Sequence, residues 1–176
     1  SKLMPDQTME FKKFYWIYPK FISIFTNGLS MENPENPFKT FDDVVTSYFN
    51  SLYQTPYLAA QMQQVLVNSI YLYEKMEPSV HLFYTFLTNE HDMDEFRFLN
   101  ILLEYSLNST DPQLSSLMTK EMITPEDTRI LIKRNKAREV FTALFPIGDV
   151  PVWLNDSMTE PNIEYWEFVE NCIRKF

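Results

Sequence analysis

Five cationic side chains fall within ten positions: Arg129, Lys133, Arg134, Lys136 and Arg138. On a helix, steps of four and seven residues from Arg129 bring Lys133 and Lys136 onto the same face. Ile130, Leu131, Ala137, Phe141 and Leu144 would then form an apolar face opposite. Such a stripe suits an acidic protein partner. It suits nucleic acid less, because 24 acidic residues against 15 basic ones leave a net charge of -9, which repels phosphate outside a local patch. Trp153 follows Pro151 in an irregular segment and is expected to be partly exposed, and aromatic side chains commonly anchor peptide-binding grooves. Arg129, Lys133, Lys136 and Trp153 are therefore the candidate partner-binding residues.

Catalytic chemistry has fewer carriers. His81 lies in an apolar helical pattern and is read as a core or boundary residue. His91 sits in Glu90-His91-Asp92-Met93-Asp94-Glu95, whose carboxylates and imidazole are of the type that holds a divalent ion. Acidic residues are also what the first turn of a helix favours, and that reading is adopted. Cys172 is the single cysteine, which rules out an intramolecular disulfide, and its apolar surroundings in sequence make it a small core residue. As a nucleophile it would need a histidine and an orienting group, and neither is adjacent. No catalytic residue, metal ligand or cofactor is assigned, and the chain is read as a non-enzyme. The two glycines, Gly28 and Gly148, argue against phosphate-cradling loops, a dinucleotide-binding fold and a β fold built on tight turns.

The elements that would carry these residues are helical. Phe11, Phe14, Tyr15, Tyr18, Ile22 and Phe25 recur at threes and fours, predicting a helix over 8–26 that Pro19 should kink or split and Asn27-Gly28 should end. Thr40 and Asp43 make an approximate capping box for a second helix through about Gln54. Thr55-Pro56 starts a third, to about Met76, and Glu77-Pro78 separates it from a short fourth over 79–88. Asp92 caps a fifth over 93–107, and Asp111-Pro112 starts a short sixth. Thr124-Pro125-Glu126-Asp127 begins a seventh that should run to about Phe145, and the last covers 163–174. Strand-prone pieces are limited to 121–124, 149–153 and 162–164. The expected fold is all-α, a compact bundle of about eight helices. It is read as one domain over 1–176, with a possible division near 110 into a helical bundle and a smaller C-terminal subdomain.

One segment has the outline of a known loop. From Asp156 to Glu167, Asp156 stands at position 1, Ile163 at position 8 and Glu167 at position 12 of a twelve-residue calcium loop. Met158 at position 3 supplies no oxygen, and Pro161 stands where the turn requires glycine. Residues 116–127 would form the partner loop, with Ile123 pairing with Ile163, although Ser116, Met118 and Lys120 give no cage. Over about 112–176 the chain resembles a degenerate EF-hand pair, similar to the metal-free EF-hand-like domains of cytoskeletal and ciliary adaptor proteins. That resemblance implies a scaffold retained for packing and partner binding, without calcium.

No apolar run approaches the roughly 20 residues needed to cross a bilayer. There is no signal-peptide layout, so a cytoplasmic location, cytoskeletal or ciliary on the resemblance, is expected. The functional expectation is a non-catalytic interaction or adaptor domain, part of a larger protein. The alternatives are a host or viral helical regulator that captures a partner's amphipathic helix in a hydrophobic groove, an EF-hand-type calcium sensor, and a small metal-dependent enzyme.

Overall fold

A computed structural model describes residues 14–108, 129–155 and 160–176. The fold is all-α: the described residues form eight α-helices, one 3-10 turn and a pair of three-residue strands. The helices are α1 (Phe14–Asn27), α2 (Phe41–Leu52), α3 (Pro56–Tyr73), α4 (Pro78–Leu87), α5 (Met93–Asn108), α6 (Arg134–Leu144), α7 (Val152–Asn155) and α8 (Tyr165–Lys175). Strands β1 (Leu131–Lys133) and β2 (Asn162–Glu164) run directly into α6 and α8. The short helix expected from Pro112, Ile123 and the start of the first helix lie outside the described residues.

Local chemistry sets most helix starts. Thr40 accepts from the Asp43 amide while Asp43 accepts from the Thr40 amide, closing the expected capping box at α2. Thr55 caps α3 through the Leu58 amide, with Pro56 in the first turn, where its missing N–H costs nothing. Asp92 and Glu95 exchange side-chain-to-backbone hydrogen bonds of 2.9 and 3.0 Å at the start of α5. α4 ends with Asn89 in the left-handed region at φ 62°, where the Glu90 and Asn89 amides return to Thr85 and Phe86 carbonyls. Pro19 lies inside α1 without splitting it. Ile17, Tyr18, Phe21, Ile22, Ile24 and Phe25 are all buried around that proline, and their packing offsets the lost hydrogen bond.

Phe25 is the hub of the core. Its ring centroid lies 5.3–6.5 Å from those of Phe21, Phe41, Phe83, Phe86, Phe96 and Trp166, which come from α1, α2, α4, α5 and α8. One buried apolar cluster extends from Ile17 to Ile173, so α6 and α8 share it with the five preceding helices. α8 packs on both α4 and α5. Between α1 and α5, Asn100 donates to the Phe25 and Thr26 carbonyls. Arg97 grips Glu32 through two hydrogen bonds of 3.0 and 2.9 Å and holds that carboxyl below its usual range.

The largest departure from expectation is at 125–145. Within the described part of that span, Leu131–Lys133 is strand and the helix begins only at Arg134. Ile130, Leu131 and Ile132 follow a period of two, with the isoleucines buried and the leucine exposed. β-branched side chains lose little in an extended chain, and Asn162–Glu164 supplies a pairing edge. The antiparallel register sets Leu131 opposite Glu164, Ile132 opposite Ile163 and Lys133 opposite Asn162. Bonds from Tyr165 to Ile130 and from Arg134 to Pro161, each 2.7 Å, extend the ladder at both ends. Ile163 thus pairs with Ile132, whereas the sequence pointed to Ile123.

Candidate partner-binding surface

The strand at 131–133 dismantles the expected basic stripe. Arg129 lies before β1, Lys133 ends β1 and caps α6 with its backbone, and only Lys136 is on a helix. Their i, i+4, i+7 relation is therefore not a helix face. Arg129 reaches across to Glu77, with a 3.4 Å contact between its guanidinium and the carboxylate. Glu77 is only 4 % exposed whereas Arg129 is 59 % exposed, so the cation reaches from the surface to a buried carboxylate at the start of α4. Lys136 pairs with Glu139 at 3.3 Å on the same helix. Lys133 is exposed and has no ion-pair partner among the described residues.

Arg134 and Arg138, which the sequence placed beside the stripe, hold the next loop. Arg134 is buried, and its guanidinium donates to the carbonyls of Trp153 and of Glu160, the latter at 3.1 Å. It thereby ties the two flanks of 156–159 to the start of α6. Arg138 donates to the side-chain carboxamides of Asn135 and Asn155. Among the described residues no carboxylate neutralises Arg138.

Trp153 is 38 % exposed, as the sequence suggested, with its ring centroid 6.3 Å from that of Phe168 on α8. Its neighbours are more open: Val152 is 82 % exposed and Ile147 is 92 % exposed. Between them Val150 faces Asn135, Arg138, Glu139, Thr142 and Ala143 across an open cleft of about 730 Å³. Leu131 is also solvent-facing on β1. The surface formed by β1, α6 and α7 therefore combines exposed aliphatic and aromatic side chains with cations that lack carboxylate partners. Water solvates the apolar side chains poorly, and a partner that covered them would gain the apolar burial.

The other residues with chemistry go elsewhere. His91 Nδ1 lies 2.7 Å from Glu95 Oε2, its ring is near that of Phe86, and Asp92 and Glu95 cap α5, so the acidic run forms a helix start. His81 is at the surface between α4 and α8, 3.0 Å from Glu74 and 3.8 Å from Glu170. These groups border a second open cleft of about 610 Å³. Cys172 is fully buried on α8, and burial pushes its thiol up to about 12, the setting of an inert thiol. Lys20 sits 3.7 Å above the Trp16 ring, and burial lowers its ammonium to about 8. No group of three or more potential metal ligands occurs among the described residues. None of the described helices is long and apolar enough to cross a membrane.

The chain matches no protein-family model, no curated protein and no solved structure.

Proposed function

We propose that this chain is a non-catalytic protein-binding module, of the kind that serves cytoplasmic adaptors of the cytoskeleton or cilium. Its docking face is the surface of β1, α6 and α7. The observation that carries this reading is the exposure of Leu131, Ile147, Val152 and Trp153 beside Lys133 and Arg138, neither of which has a carboxylate partner among the described residues. The partner that fits is a protein segment bearing both acidic and apolar side chains, so that one docking event pairs the charges and covers the hydrophobic atoms.

The C-terminal portion is read as a calcium-free EF-hand-like pair. The pairing of Ile132 with Ile163, and the passage of each strand directly into a helix, support that reading. Glu164 accepts from the Glu167 amide at 2.7 Å and caps α8, as a loop residue three places before the final ligand position would. In this register the residue four places after Ile132 is Lys136. An ammonium then occupies the place where calcium coordination requires a bidentate carboxylate. Lys136 and Pro161 both speak against the calcium-sensor alternative.

The test uses the partner recovered by affinity capture and then purified. Lys133→Glu together with Val152→Asp should weaken its binding at least about tenfold while the melting temperature stays nearly unchanged, because neither side chain is buried. Undiminished binding by the double variant overturns the assignment of this face. Calcium binding tighter than millimolar in calorimetry overturns the metal-free reading.

A further inference from the structure

The junction between α8 and the end of α3 with the start of α4 gathers an uncommon density of carboxylates. Glu74 and Glu77 come from the α3–α4 connection, and Glu164, Glu167 and Glu170 from β2 and α8. Glu74 and Glu77 are both buried, although charged side chains rarely are. The opposing cations are few. Arg129 meets Glu77 at 3.4 Å and Arg174 meets Glu170 at 2.9 Å, while Lys75 stands at the rim of the cleft. His81 lies between the two sides, within 3.0 Å of Glu74 and 3.8 Å of Glu170.

Glu164 is the most constrained of these groups. Its Oε2 accepts from the Glu167 amide at the start of α8. Its Oε1 is buried and has no hydrogen-bond partner among the described residues. Glu77, Glu167 and Tyr18 face it, and Lys133 lies two residues beyond its cross-strand partner Leu131 on β1. α5, the other helix packed on α8, presents Phe98, which stacks on Phe176, and its Arg97 is engaged by Glu32. Among the described residues no cation is in ion-pair contact with Glu164.

We propose that this junction is a pH-responsive latch: ionisation of Glu164 loosens β2 and α8 from the helices they pack against, and protonation of Glu164 draws them together. A proton on Glu164 removes a charge that burial and two neighbouring carboxylates oppose. Burial, with Glu77 and Glu167 adding to it, raises the Glu164 carboxyl to about 7 from a usual 4.5. The folded state consequently holds a proton that the unfolded chain has already released between those two values. Stability contributed at this junction is present below about 4.5 and declines as pH rises toward about 7. The inference does not depend on the docking face proposed above.

Amide hydrogen exchange followed by NMR on the whole chain tests the latch. After correction for intrinsic rates, protection at Phe168, Val169 and Cys172 should fall at least about tenfold between pH of about 5.5 and about 8. Val45 and Phe49 on α2 should change much less over the same range. Glu164→Gln, which keeps the cap oxygen, should flatten the α8 dependence. A parallel change on α2 and α8, or a pH dependence retained in Glu164→Gln, overturns the proposal. If that variant does not fold, the carboxyl carbon of Glu164 in the unaltered protein decides: a titration midpoint near 7 supports the latch, and an ordinary carboxylate midpoint overturns it.

Discussion

Arg134 shows how much one side chain can organise when its donors find carbonyls. Its guanidinium spans from Glu160 to Trp153, and its backbone amide adds a bond to Pro161. Replacing it with alanine leaves two carbonyls unsatisfied and frees both flanks of 156–159 from α6. Arg134→Ala should lower stability by about 2–4 kcal/mol in urea denaturation, and Arg134→Lys should recover little, since a point charge cannot reproduce the planar fork. A variant that unfolds at the original urea concentration would show that the clamp carries no stability. The sequence presented Arg134 as one cation among five. What distinguishes it is burial against a segment 19 to 26 residues further on, and no local spacing encodes that. The same holds for Arg129, whose partner Glu77 is 52 residues away. Trp153 was easier to read, because the nearby Pro151 already limits deep packing, although the residue sits in the short helix α7 rather than in the irregular segment the sequence suggested.

Among the elements, α1 and α2 meet at Gly28. A methyl group there would stand 2.6 Å from Val44 Cγ1, and valine has few rotamers in which to retreat. Gly28→Ala should cost about 1–3 kcal/mol. The double variant Gly28→Ala, Val44→Ala should cost measurably less than the sum of the two single changes in a denaturation cycle, because the removed methyl makes room for the added one. Strict additivity would mean that the two sites do not touch. Asn27-Gly28 was legible as a helix stop, but the close approach behind it was not. Helix starts were the most readable elements in the chain, since Thr40, Thr55, Pro56 and Asp92 act through bonds to residues at most four positions away. The strand at 131–133 was not legible: Ile130-Leu131-Ile132 fits a helix as well as a strand, and its pairing edge lies 31 residues away at 162–164.

For the molecule as a whole, stability converges on the aromatic centre. Phe25 contacts rings from five helices, and the apolar periodicity of 41–52, 79–88 and 93–107 had already assigned most of those side chains to the interior. Phe25→Leu should lower stability by about 1–3 kcal/mol and do so in one cooperative step seen equally by circular dichroism and tryptophan fluorescence. Divergent transitions would show that the core is two independent units. Periodicity identified which faces turn inward. It did not reveal which helices share a ring, because that depends on the order in which cylinders stack.

The two-stranded ladder has a mechanical corollary. Lys133 hands over to Arg134 and Glu164 to Tyr165 with no intervening linker, so α6 and α8 are spokes fixed to a common axle. A force that tilts one spoke is transmitted through the axle to the other, and through Trp166 to the Phe25 hub. A molecule gripping α6 from outside would therefore be felt at the centre of the wheel without touching it.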